Sequence, residues 1–458
     1  MATSVPTYDP KTTATQLAQI YTQGTQQLLT AQNDKATAIA SALSKLSSAM
    51  SSFRSTLSTL NSAGSILANK ATFSSDVGTA TADSSAVAGN YQFYVEQLAT
   101  AGQVAYGGIS DTTAATAGNM VVTLADGSNF TVTLASADKN LDGTLTAKEI
   151  AAAINVAANN NSRVTASTMT VNGATTLVLT SNLTGANNAV SIDTSGITDA
   201  GLQAELDNNQ TVLQTAQDAI VWIGPQGTGT QVTQASNTFN IVDNVSMTFT
   251  KAQAPGAAPV TLTVARDDSA TATNVQSFVD GWNKLLATLK EVSAPGDASK
   301  QPAIYASDAG LSALKGRLHG LLRSTVNGLA LANYGITAQR DGTLALDKSK
   351  LNKALANNPS GLDDVLGKIS ATTPTGVLGN VDKLLESWTK TGTGQLASRS
   401  DNNSKLQAQL LARQAVLDTQ YDNAYKRYLA QFTQLQSLQN SMSSTSSMFD
   451  AMFSKATS

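Results

Sequence analysis

The hydrophobic positions near both ends of the chain repeat with a helical spacing. Near the N-terminus, apolar residues recur in alternating steps of four and three, which keeps them on one side of a helix. This row consists of Ile39, Leu43, Leu46, Met50, Phe53, Leu57 and Leu60. Near the C-terminus, one row advances in steps of seven and a second row lies beside it, with Gln431 as its polar break. The two rows consist of Tyr421, Tyr428, Leu435, Met442 and Phe449, and of Leu410, Leu417, Ala424 and Leu438.

Each of these apolar rows needs a partner, because an isolated apolar stripe on a helix would face water. We therefore expect the first helix to pack against the last one. The N-terminal flank carries only the weak stripe Leu17, Tyr21 and Leu28 among Thr and Gln, and the C-terminal flank is rich in Ser. Such segments are poor isolated helices, so we expect both chain ends to stay flexible until assembly.

The middle of the chain has a different pattern, in which polar and apolar residues alternate as they do in strands. Two turns, Asp126-Gly127 and Asn172-Gly173, predict β-hairpins, and a short helix is expected between them. Helical spacing returns after Asp268. The predicted fold class is therefore α+β and multidomain, with a coiled-coil or helical-bundle leg made from both chain ends and nested β-rich head domains.

The change of pattern along the chain predicts four domains. Residues 1–40 and 416–458 form the terminal coiled-coil segments, and 41–72 with 270–415 form the helical leg. Residues 73–107 with 216–269 form a β-rich head, and 108–215 form an inserted α+β outer head domain.

Composition and charge narrow the possible functions. The chain has 29 Lys and Arg against 32 Asp and Glu, so it lacks the basic excess that nucleic-acid binding requires. It contains no cysteine and one histidine, His319, which excludes thiolate metal sites and catalysis by paired histidines. No apolar run reaches the length of about 18 residues that a membrane helix needs. We expect neither a general-secretory precursor nor a membrane protein, and no enzyme.

One loop fits the twelve-residue pattern of a calcium site. It runs from Asp138 to Glu149 with Gly143 at the sixth position, and no other cofactor is expected. Its candidate ligands are Asp138, Asn140, Asp142, Thr144, Thr146 and Glu149. The same residues also fit a helix cap, in which Thr146 begins the following helix and Glu149 completes a capping box. Both interpretations remain open.

Five stretches, in order along the chain, carry a resemblance to a known family. Residues 88–104 contain the pattern Gly-x-Tyr-x-x-x-Val-x-x-Leu-Ala, and residues 334–359 contain a Gly-Ile-Thr…Asp-Gly-x-Leu run. The other three stretches are 147–188, 218–250 and the closing helix at 424–453. In this order they resemble the flagellar filament cap proteins, also called hook-associated protein 2.

The resemblance implies a secreted structural protein at the distal tip of the bacterial flagellum, outside the cell. Copies of the chain would form a ring that promotes flagellin insertion and prevents flagellin loss. The implied partners are other copies of the chain, flagellin, the hook–filament junction proteins, and an export chaperone at the C-terminal helix. The apolar rows of the two terminal helices would then hold the leg together and form contacts between copies of the chain.

Two other functional classes remain open from the sequence. Another secreted axial component, such as a junction protein or a flagellin, would share terminal helices and a variable middle. A surface adhesin would also suit the Thr- and Asn-rich β domains, and adhesion could coexist with capping.

Overall fold

The computed structural model describes residues 9–171 and 173–455 of the chain. It divides into two compact units, a helical unit within residues 1–62 and 272–458 and a β-rich unit within residues 63–271. Residues 1–8 and 456–458 of the predicted terminal segments, and Asn172 of the second predicted hairpin, lie outside the described residues.

The described part of the chain forms nine α-helices. They are α1 (Pro10–Ser62), α2 (Ala147–Val156), α3 (Ala200–Asn208), α4 (Asp268–Val292), α5 (Ala309–Leu322), α6 (Lys348–Asn357), α7 (Ser360–Leu366), α8 (Gly376–Thr389) and α9 (Gln395–Lys455).

The strands are short and pair antiparallel. They are β1 (Asn69–Phe73), β2 (Gly78–Ala82), β3 (Gly89–Gln97), β4 (Ala101–Tyr106), β5 (Thr112–Thr113), β6 (Asn119–Leu124), β7 (Asn129–Thr133), β8 (Thr144–Leu145), β9 (Val164–Val171), β10 (Ala174–Thr184), β11 (Val190–Asp193), β12 (Gln210–Gln214), β13 (Ala219–Ile223), β14 (Thr230–Gln234), β15 (Thr238–Phe239), β16 (Val245–Phe249), β17 (Val260–Arg266), β18 (Ile336–Ala338) and β19 (Leu344–Leu346).

The helical unit is centred on aromatic packing between α1 and α4. The ring of Phe53 lies 6.0 Å from that of Phe278 and 6.2 Å from that of Trp282, and all three side chains are buried. Gly281 permits this approach, because a Cβ atom there would lie 2.8 Å from the Phe53 ring. Beyond this centre, α1 continues towards its N-terminus, where the side chain of Asp9 accepts a hydrogen bond of 3.0 Å from the backbone of Thr12.

The β-rich unit contains two separate hydrophobic clusters. One lies within residues 71–264 and is formed by the five-stranded sheet β1-β17-β3-β13-β14 and the three-stranded sheet β15-β16-β2. The other lies within residues 104–206 and is formed by the sheet β12-β4-β10-β9, the sheet β11-β6-β7, and helices α2 and α3. The predicted hairpin at Asp126-Gly127 is present as the β6–β7 pair.

These observations confirm the predicted fold class. Helix α1 continues without a break across position 40, where the sequence analysis separated a terminal segment from the leg. The four domain boundaries and the flexibility of the chain ends stay predictions. Among the described residues, no helix combines the length and the apolar character needed to cross a bilayer.

Candidate assembly interface

The long helices α1 and α9 pack against each other, as the sequence predicted. On α1, the buried positions follow one row with steps of seven and a second row beside it. The first row consists of Thr22, Leu29, Ala36, Leu43, Met50 and Leu57, and the second includes Leu46, Phe53 and Leu60. On α9, the buried row consists of Asn403, Leu410, Leu417 and Ala424. Leu29, Ala36, Leu410 and Leu417 form one small hydrophobic cluster. Where the two helices face each other, at Leu29 and Ala36 of α1, this regular burial is the arrangement of a two-stranded coiled coil, whereas Phe53 further along α1 packs against α4.

Polar contacts fix how the two helices are aligned. The side chains of Gln26 and Gln414 exchange hydrogen bonds of 2.9 and 3.3 Å. Asn403 Nδ2 donates a 3.0 Å hydrogen bond to the carbonyl oxygen of Ala36. The partner position on α9 therefore falls from 414 to 403 as the position on α1 rises from 26 to 36, so the helices run antiparallel.

The predicted apolar rows fall into a buried part and an exposed part. The residues predicted on α1 are buried except Ile39, which is half-buried. Of those predicted on α9, Leu410 and Leu417 are buried, Tyr421 and Tyr428 are half-buried, and Leu435, Leu438, Met442 and Phe449 are exposed. The pattern thus continues past the last buried residue of its row, Ala424, onto a surface that residues 9–171 and 173–455 leave exposed.

The buried positions on the first part of α1 differ from those that the sequence predicted. The apolar stripe Leu17, Tyr21 and Leu28 suggested one face, whereas Tyr21 and Leu28 are exposed. The residues buried there are Ala14, Ala18, Thr22, Leu29 and Ala36, most of them small. Their spacing, rather than their hydrophobicity, was the signal that could have identified this face.

The candidate calcium residues lie on the segment that enters α2. Asp138 is buried, and its two carboxylate oxygens accept hydrogen bonds from the backbone of Leu141 (2.7 Å) and Gly143 (2.9 Å). Asn140 and Asp142 bond to each other, and Asp142 also accepts from the backbone of Thr144. Gly143 has a φ of +80°, which the sharp turn at the sixth position of a calcium loop requires.

The helix-cap interpretation of this loop is present in the structure. Thr146 precedes α2 and accepts from the backbone of Glu149, while Glu149 Oε2 accepts from the Thr146 backbone at 3.0 Å. Across residues 9–171 and 173–455, no three His, Cys, Asp or Glu side chains converge as ligands for a metal ion. The donors at this loop are nevertheless the oxygen atoms that calcium prefers, so calcium binding stays a prediction.

Comparison with known proteins gives matches on both sides of the inserted region. A family model described as "Flagellar hook-associated protein 2 N-terminus" matches residues 7–102, and one described as "Flagellar hook-associated protein 2 C-terminus" matches residues 216–444. The lateral flagellar hook-associated protein 2 of Vibrio parahaemolyticus is 37% identical over 450 residues, which cover 96% of this chain and 99% of that protein.

Two further comparisons agree with these matches. The B-type flagellar hook-associated protein 2 of Pseudomonas aeruginosa is 29% identical over 81% of this chain and 79% of its own length. The crystal structure of the D1-D2-D3 domains of the flagellar cap protein FliD from Escherichia coli covers 79% of this chain and 99% of its own, with a TM-score of 0.62 and 25% identity. The chain therefore belongs to the flagellar hook-associated protein 2 family.

Proposed function

We propose that this chain caps the distal tip of a bacterial flagellar filament, where copies of it form a ring that promotes flagellin insertion and prevents flagellin loss. The observation that carries this proposal is the match to the Vibrio parahaemolyticus protein along nearly the full length of both chains. The solved Escherichia coli relative is itself described as a flagellar cap protein. These matches do not favour the alternative interpretations as a flagellin, a junction protein or an adhesin.

The proposed role is structural, because it depends on helix packing between subunits and on no chemical reaction. The partners that we propose are further copies of this chain, flagellin, the hook–filament junction proteins, and an export chaperone at the C-terminal helix. The proposed location is the outside of the cell. A chain without cysteine suits that location, since an oxidising medium cannot cross-link it.

The exposed part of α9 supports assembly into a larger structure. Leu435, Leu438 and Met442 continue the coiled-coil pattern, and each is at least 41% exposed. Exposed apolar rows of this kind mark surfaces that bind another protein. A cap must hold neighbouring subunits while it makes room for each new flagellin, and a helix that ends in an uncovered apolar row can supply such a contact.

The test is complementation of a strain that lacks this gene and any second cap gene. We expect the deletion to abolish swimming and to release unpolymerised flagellin into the medium, and the intact gene to reverse both effects. The variant Leu435→Glu with Leu438→Glu places two charges on the exposed row and should fail to restore filaments.

A matched control tests whether the loss of filaments comes from disrupting the apolar row or simply from adding two charges to the helix. Ser437→Glu with Asn440→Glu adds the same two charges to exposed polar positions of the same helix and should restore swimming. Both variants should retain the helix content of the parent by circular dichroism. Intact filaments in the deletion strain would refute the proposed function.

A further inference from the structure

Two stretches of the coiled-coil helices carry no charged residue. Residues 12–33 of α1 and 428–449 of α9 lack Asp, Glu, Lys, Arg and His, although 13% of the whole chain is charged. Their exposed side chains are mainly Gln, Thr and Ser, with a few apolar residues. Like charges that meet across a contact between two molecules weaken it, and two uncharged helices avoid that cost in any register.

The first of these stretches forms one wall of a groove. The groove has a volume of about 640 Å³ and lies along the α1–α9 pair. Its α1 wall runs from Gln16 to Gln27 and includes Ile20, and its α9 wall consists of Leu417, Asp418 and Tyr421, of which Asp418 is charged. Ile20 is 66% exposed. From Gln16 to Gln27 the groove follows α1 for about 17 Å, or three helical turns. A second, smaller groove on the same pair is bordered by Leu28 and Val416.

The second charge-free stretch is an uncovered continuation of the coiled coil. We call these residues, 428–449 of α9, the tail. Its exposed apolar side chains are Leu435, Leu438, Met442, Met448 and Phe449. Leu438 continues the row that is buried at Leu410, Leu417 and Ala424, so the tail extends an existing packing interface along the same helix.

The tail cannot fill the groove of its own chain while α9 remains one helix. Leu417 and Tyr421 of α9 line the groove, and the tail begins only two helical turns further along the same unbroken helix. Folding back would require α9 to break. A helix that fills the groove must therefore come from another molecule, and the tail of a second copy is an uncharged helix of sufficient length with an exposed apolar row.

We propose that the tail of one copy packs into the α1–α9 groove of the next copy, with Leu435, Leu438 and Met442 against Ile20 and the neighbouring glutamines. This contact joins two different surfaces, so it is heterologous, and it closes into a ring when the rotation between copies divides a full turn. The inference rests on the proposed ring, for which it supplies the contact between subunits.

The absence of cysteine allows a direct test with single thiols. One tagged copy of the full chain carries Gln23→Cys in the groove, and a differently tagged copy carries Leu435→Cys, Leu438→Cys or Met442→Cys in the tail. The copies are mixed and treated with a short bis-maleimide cross-linker. We expect a mixed dimer with at least one of the three tail positions, which together span about two helical turns.

Two controls make the result specific. Asn440→Cys lies on the opposite, polar side of the tail and should give little mixed dimer. Adding Ile20→Gln to the groove copy should cause loss of most of the mixed dimer, while circular dichroism remains that of the parent.

The other outcomes overturn the proposal. Dimers that join two tail thiols, dimers that join two groove thiols, or no dimer at the highest soluble concentration would each contradict the groove–tail contact. Rings seen by electron microscopy together with any of these results would leave the proposed cap function intact. A deletion strain with normal filaments would instead remove the function on which the inference rests.

Discussion

At the scale of single residues, Glu149 is the carboxylate that distinguishes the two interpretations of the 138–149 loop. In the structure its Oε2 atom accepts hydrogen bonds from the backbone and hydroxyl of Thr146. In a calcium loop, both of its oxygens would bind the ion. Glutamine can still complete a capping box but cannot supply the charge that calcium needs. Glu149→Gln should therefore abolish calcium binding and keep the helix cap.

We predict that the intact chain binds one calcium ion, with heat detected by isothermal titration calorimetry. Glu149→Gln and Asp138→Asn should abolish that heat, because each removes a negatively charged ligand. Without calcium, Glu149→Gln should unfold at the same temperature as the parent, since the cap is retained. Lys148→Gln, which changes a neighbouring charge outside the candidate ligand set, is the control. A parent chain that gives no heat would contradict calcium binding and leave the cap as the role of Glu149.

The sequence could identify the twelve residues of this loop but not choose between its two roles. The pattern of Asp138, Asn140, Asp142, Gly143 and Glu149 fixes which oxygen atoms are available. It does not fix where those atoms point. The structure adds that information, because backbone amides already occupy both oxygens of Asp138, and Glu149 bonds to the start of α2.

At the scale of secondary-structure elements, Asn403 is the polar member of the buried row of α9. Its Nδ2 atom bonds to Ala36, but its Oδ1 atom is buried and has no hydrogen-bond partner within the described chain. A buried acceptor without a partner is destabilising. We predict that Asn403→Leu raises the free energy of unfolding of the coiled coil by about 1 kcal/mol, measured by hydrogen exchange of the α1 amides.

The neighbouring residue provides the control for this prediction. Asn402 is exposed, so Asn402→Leu should leave the exchange of the α1 amides unchanged. Faster exchange in Asn403→Leu would contradict the prediction. It would mean that the hydrogen bond to Ala36 stabilises the coiled coil more than the unpaired Oδ1 atom destabilises it. A polar residue in a coiled-coil row can also set the register of the helices. The Gln26–Gln414 pair should preserve the register in the variant.

The buried faces of the two long helices could be predicted from the sequence in some parts of each helix and not in others. Large apolar residues from Leu43 to Leu60 mark the buried face of α1, so hydrophobic spacing alone located it. Towards the N-terminus the buried face is made of Ala14, Ala18 and Thr22 instead. Small residues let two helices approach closely but carry little hydrophobic signal. The apolar row of α9 could be predicted from the sequence, but only the structure shows that its last part is exposed.

At the scale of the whole molecule, the nesting of β-rich segments between helices was predictable because strand and helix periods differ. The placement of β4 was not. The predicted division places residues 101–106 in the 73–107 segment of the β-rich head. In the structure, β4 is an inner strand of the sheet β12-β4-β10-β9, between strands that come from residues 174–184 and 210–214. Pairing between distant segments leaves no local sign in the chain.

The strand pairing within the β-rich unit predicts which fragments of the chain can fold alone. The ends of the β-rich unit meet, because β1 pairs with β17 and the backbone of Asp267 donates a 2.7 Å hydrogen bond to Ala68. A unit with adjacent ends and its own hydrophobic clusters can fold independently. We predict that residues 63–271, expressed alone, unfold cooperatively on heating and give dispersed amide resonances in nuclear magnetic resonance spectra.

Two shorter fragments test the part played by β4. A fragment of residues 108–215 lacks β4, so β10 and β12 lose the strand that joins them, and Val104 and Tyr106 leave the hydrophobic cluster. A fragment of residues 100–215 retains that strand. We expect the longer fragment to give dispersed spectra and the shorter one to be unfolded, since an unpaired inner strand exposes both backbone groups and apolar side chains. A folded 108–215 fragment would show that the inserted domain does not depend on β4, and an unfolded 63–271 fragment would show that the β-rich unit needs the helices to fold.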